Sequence, residues 1–86
     1  MDSYKLFFKK SAEKELRRIS SAYLSQILKK IETLMHTPRP PGIQMLRGEN
    51  HYFRLRQGDY RVIYEVNDAE QLVIIIKVGH RREVYD

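Results

Sequence analysis

The chain has no cysteine and no tryptophan. Without thiols, disulfides and thiolate metal sites are excluded, and a reducing cytoplasm is the expected compartment. No apolar stretch approaches the ~20 residues of a membrane-spanning helix. The residues from Met1 to Tyr4 show no signal-peptide pattern. Three histidines, lacking cysteine or clustered carboxylates beside them, form no metal motif, and no cofactor signature is present. Acidic residues are in the minority: 16 Lys/Arg face 11 Asp/Glu, for a net charge of +5. In a small domain this balance favours an anionic partner, either nucleic acid or an acidic protein.

At 86 residues the chain has room for a single domain, spanning 1–86. Residues 3–8 alternate loosely and are rich in aromatics, which predicts an opening strand. Ser11 offers an N-cap to a helix carrying Ala12, Leu16 and Ile19. After a break at Ser20-Ser21, Leu24, Ile27, Leu28, Ile31, Leu34 and Met35 recur at helical spacing. The prolines at 38, 40 and 41 then end the helical region. Residues 51–56 and 60–66 read as a hairpin about Gly58-Asp59, and 72–78 as an apolar, buried strand. The expected fold is α+β, in the order β-α-α-β-β-β. Its sheet is mainly antiparallel, with the helical hairpin packed on one face.

Alternation along the strands places the charges. Residues i and i+2 share a face, so Arg54 and Arg56 point one way while Phe53 and Leu55 point the other. Seating Phe53 and Leu55 with Val62 and Tyr64 in the core puts Arg54, Arg56 and Arg61 together on the open face. The last strand then releases Gly79, His80, Arg81, Arg82 and, further on, Tyr85. Fixed guanidiniums, a titratable imidazole and an aromatic ring are what a phosphate-handling site needs. Lys9, Lys10, Arg17, Arg18, Lys29 and Lys30 read as solvated helix faces that also suit contact with structural RNA. His36 reads as a helix C-terminal partner, and His51 as a weaker contributor to the open face.

Four segments, in order, carry a family resemblance: Met45-Leu46-Arg47-Gly48, residues 52–56, residues 58–64 and residues 78–85. Over nearly its whole length the chain resembles toxins of the RelE/ParE superfamily of type II toxin–antitoxin systems, and within it the RelE branch. The resemblance implies an endoribonuclease that cuts messenger RNA in the ribosomal 30S A site. It also implies a RelB-like antitoxin that wraps and inhibits the toxin in a hetero-oligomer, with no membrane partner. The implied reaction is metal-free: the 2′-hydroxyl attacks the neighbouring phosphate, leaving a 2′,3′-cyclic phosphate and a 5′-hydroxyl.

Residue by residue, the resemblance places Arg54 and Arg56 near the nucleophile and Arg61 on the phosphate. Arg81 falls near the leaving group, and Tyr85 on a base. Arg47, Arg54, Arg56 and Arg82 are the expected RNA contacts. The family commonly has lysine where this chain has Arg54 and Arg56. Guanidinium accepts protons poorly, so the general base is left open, and His80 is the candidate to move the proton. Two other readings are a ParE-like toxin that poisons DNA gyrase without nuclease activity, and a non-catalytic nucleic-acid-binding module.

Overall fold

The computed structural model describes residues 3–46 and 52–84. Strand β1 (Lys5–Phe8) leads into helices α1 (Lys10–Arg17) and α2 (Ser21–Thr33). Four strands follow: β2 (Gln44–Met45), β3 (Tyr52–Gln57), β4 (Tyr60–Asn67) and β5 (Leu72–His80). They form one sheet in the order β1-β5-β4-β3-β2, antiparallel throughout except where β1 runs parallel to β5. This is the expected α+β architecture with one added element. The edge strand β2 is only two residues long and has no alternation to reveal it; its pairing with Phe53 and Arg54 creates it.

The core lies between the helices and one face of the sheet. Ala12, Leu16, Ile27, Ile31 and Leu34 meet Phe53, Leu55, Val62, Tyr64, Val66, Val73, Ile75 and Val78. Leu28, placed by its spacing on the apolar stripe of α2, stays at the surface. The expected N-cap at Ser11 is also corrected, because α1 begins at Lys10 and Lys9 holds the cap position. The Lys9 N–H donates to Ile75 O at 2.9 Å, which holds Lys9 extended at the end of the β1 ladder. Helix can start only after that tie, so sheet pairing overrides the cap preference.

Beyond Ile75, β5 has no β1 residue beside it. Glu15 of α1 fills that edge: one carboxylate oxygen accepts from Val78 N–H (2.9 Å) and the other from Lys77 Nζ (3.2 Å). A half-buried strand edge thus keeps its backbone donor satisfied.

The proline-rich loop is pinned at the opposite end of the sheet. Arg39 grips Asp68 through two hydrogen bonds (3.1 and 2.7 Å), and Tyr4 donates its hydroxyl to the same carboxylate at 2.6 Å. The Tyr64 hydroxyl, inside the core, donates to Pro38 O at 2.7 Å. Bonds from Arg39 first, then from Tyr4, hold the Asp68 carboxyl below its ordinary value of 3.8. A carboxyl depressed on folding stabilises the native state at pH above its ordinary value. That contribution drains away as pH falls toward the folded value. Urea midpoints of Asp68→Asn and the parent chain should therefore differ near neutrality and converge below about pH 4.

Candidate nucleic-acid interface

The β3–β4 register sets the charges as alternation predicts. Phe53 pairs with Tyr64 and Leu55 with Val62 on the helix side; Arg54 pairs with Ile63 and Arg56 with Arg61 on the other. Like charges directly opposite one another destabilise a sheet. A pair of arginines retained in that position points to an anion rather than to stability.

The three arginines differ in setting. Arg56 is exposed and Arg61 half-buried, whereas Arg54 is only 7% exposed. Its guanidinium donates to the side-chain carbonyl of Gln44, directly across from it on β2. Burial, then the positive charges of Arg56 and Arg61, pull Arg54 below its ordinary value. Starting so far above neutrality, it remains a cation. Arg61 caps the hairpin, with Nη1 donating to Gly58 O and to Tyr60 O, both at 2.9 Å.

His80 is the main departure from the sequence-based placement. In β4–β5, Ile63 pairs with Lys77 but Tyr64 with Ile75, so Ile76 is an extra residue and the side-chain alternation flips there. Val73 and Ile75 face the helices before this bulge, and Val78 faces them after it. By the same parity His80 shares the helix side with Tyr60, its ring edge-on at 5.7 Å, and does not stand among the arginines. Its Nδ1 accepts the Arg82 N–H at 3.2 Å, so a neutral ring carries its proton on Nε2.

The tail then crosses back. Gly79 lies opposite Arg61, and a β-carbon there would meet Val84 Cγ2 at 2.9 Å, which places the buried Val84 on the arginine side. The turn is fixed by Glu83 and Val84 N–H groups on His80 O, and by Arg81 N–H on Asp59 O at 2.7 Å. Arg81 Nε also lies 3.7 Å from Asp59 Oδ1. The Gly58-Asp59 turn is thus a hub that orients Arg61 on one strand and Arg81 on the tail. Arg82 is exposed, and its N–H is held by the His80 ring.

Arg47, His51 and Tyr85, all assigned to this face from the sequence, lie outside the described residues. Sequence reasoning missed Gln44 and Asp59. Gln44 left no signal, while the position of Asp59 before Tyr60-Arg61 in a hairpin turn was a usable one. The six helix cations Lys9, Lys10, Arg17, Arg18, Lys29 and Lys30 are all exposed, and His36 Nδ1 lies 3.3 Å from Ser3 Oγ. Among the described residues no helix is long and apolar enough to cross a membrane, and no group of three His, Asp or Glu residues is placed to hold a metal ion.

The two helices pack on one face of a five-stranded sheet whose other face carries Arg54, Arg56 and Arg61. Residues 6–85 match the family of the ParE toxin of the type II toxin–antitoxin system parDE, and the chain belongs to that family. Among named relatives, the mRNA interferase toxin RelE of Escherichia coli K12 is 36% identical over 87 residues, covering 96% of this chain and 90% of its own. The crystal structure of isolated E. coli RelE superposes with a TM-score of 0.83 at 31% identity, covering 91% of this chain and 84% of that one. The RelE of the Pyrococcus horikoshii RelE–RelB complex gives 0.82 at 29%, covering 95% and 99%.

Proposed function

We propose that this protein is a RelE-like toxin that cleaves messenger RNA in the ribosomal A site and is held inactive by a RelB-like antitoxin. The observation that carries this reading is the opposed pair Arg56–Arg61 beside the buried Arg54. Such a cluster is costly to fold and suited to a phosphate. In the proposed reaction the ribose 2′-oxygen loses its proton and bonds to the adjacent phosphorus. The bond to the 5′-oxygen breaks, and that oxygen takes up a proton. Arg61 and Arg54 stabilise the added charge on the phosphoryl oxygens, with Arg56 near the nucleophile. Arg81, steered by Asp59, serves the departing oxygen, while Arg82 and Arg47 contact the RNA strand and Tyr85 meets a base.

His80 serves this scheme by position: its Nδ1 accepts the Arg82 N–H and holds the tail turn that carries Arg81, while its ring stands on the helix side beside Tyr60. The antitoxin is expected to bring an acidic, partly disordered segment that orders as it covers the arginine face.

Mapping message ends in purified ribosome complexes tests the reading. Codon-phased cuts with 5′-hydroxyl ends, lost in Arg81→Ala, support it. The matching family model is that of a ParE toxin, which keeps gyrase poisoning as the second reading. Trapped gyrase–DNA breaks with intact message would replace the ribonuclease by it. Gly79→Ala gives an independent check on the tail. A contact at 2.9 Å with the branched Val84 side chain forces the turn to shift. We expect cleavage to fall tenfold or more in the ribosome assay. The urea midpoint should drop by the equivalent of only ~1–3 kcal/mol.

A further inference from the structure

We infer that the cleft between α2 and the β3–β4 turn is a base-binding subsite. One nucleotide's ring would stack there on Tyr23 and Tyr60 while its phosphate lies toward Arg61 and Arg81. This inference rests on the ribonuclease reading for its biological ligand, and on the cleft's own chemistry for its class of occupant.

The cleft has a volume of about 290 Å³, enough for one flat ring system. Its wall is a row of three rings: Tyr23 and Tyr60 tilted by 43° at 5.7 Å, then Tyr60 and His80 edge-on at 5.7 Å. Tyr23 is 55% exposed although the apolar face of its helix is buried. A large ring left half in water, beside a second ring, is a stacking platform awaiting a partner.

The rim is polar in both senses. Gln57 Nε2 reaches Gln26 Oε1 only at 3.4 Å, so both amides keep capacity for further bonds. Asp59 and the edge-on His80 ring complete the lining. A base edge offers the same mixture of donors and acceptors. No lysine or arginine lines the cleft, so nothing inside it would hold a phosphate. Its place is just outside, because Gly58 and Asp59 form the rim and are the residues that Arg61 and Arg81 grip.

The test uses the whole free protein and watches the Tyr23, Tyr60 and His80 ring signals by NMR. The probes are adenosine, adenosine 5′-monophosphate and ribose 5-phosphate. Adenosine and its monophosphate should shift these signals saturably, and ribose 5-phosphate should not. Tyr23→Ala, a change at an exposed site, should weaken adenosine binding tenfold or more with the fold retained. Arg61→Ala should weaken the monophosphate and spare adenosine. No saturable shift with adenosine, or an unchanged one in Tyr23→Ala, overturns the inference. So does a cleft that responds only to an antitoxin peptide. A protein that binds adenosine here yet leaves message intact overturns the ribonuclease reading alone. One that cuts message yet ignores adenosine overturns the cleft alone.

Discussion

Arg61→Ala should reduce cleavage of ribosome-bound message by roughly 10²–10³, the loss typical when one preorganised charge stabiliser is removed. Arg61 stands out because its guanidinium is held before any substrate arrives. Two bonds from Nη1 to the carbonyls of Gly58 and Tyr60 fix the fork, so little ordering remains when phosphate binds. Arg61→Lys separates charge from geometry. It keeps the cation but not the rigid fork, and should recover only part of the rate. Single-turnover cleavage in ribosome complexes distinguishes these outcomes. A variant as fast as the parent in that assay would remove Arg61 from the proposed chemistry. The expected cost in stability is small, because the capped turn is at the surface and its carbonyls can turn to water.

Tyr64→Ala should produce the largest loss of stability, on the order of 3–5 kcal/mol. The ring is fully buried, lies 5.6 Å from the Phe53 ring, and its hydroxyl anchors the proline loop at Pro38. Burial also pushes its phenol well above the ordinary tyrosine value, so it stays a neutral donor across the working range of pH. At ~0.05–0.15 kcal/mol per residue, a domain of 86 residues has roughly 4–13 kcal/mol in all, so this loss is a large share of its stability. Tyr64→Ala should therefore unfold at a far lower urea concentration than the parent chain. Tyr64→Phe keeps the packing and strands one carbonyl, for about 1 kcal/mol. Urea titration followed by far-UV circular dichroism checks both, since the chain has no tryptophan to report. A shallow, broad transition in Tyr64→Phe would show that the loop anchor also holds the core's cooperativity.

The two effects differ in how far they could be read from the sequence. Alternation in residues 53–56 and 60–66 was enough to seat Phe53, Leu55, Val62 and Tyr64 inside and to set Arg54, Arg56 and Arg61 opposite, because a strand's period of two leaves one register that buries those four side chains together. Helical spacing likewise found Ile27, Ile31 and Leu34. At β5 the same logic failed. A continuous run of branched residues from 72 to 76 contains no polar marker of which side faces water, so the extra residue at Ile76 left no trace.

What the chain determines by itself is the order of elements, the apolar faces and the arginine-bearing strand face, all consequences of local period and short connections. The tertiary structure decides three further matters, each through contacts between distant residues. Pairing of Gln44 with Arg54 buries a cation that alternation left in solvent. Register slip at Ile76 turns His80 to the helix side, next to Tyr60. Closure of Val84 over Gly79 returns Arg81 to the hairpin turn that holds Arg61. Local sequence sets which way a side chain points along a regular strand; bulges, edges and returning tails are set only when remote backbone groups compete for the same hydrogen bonds.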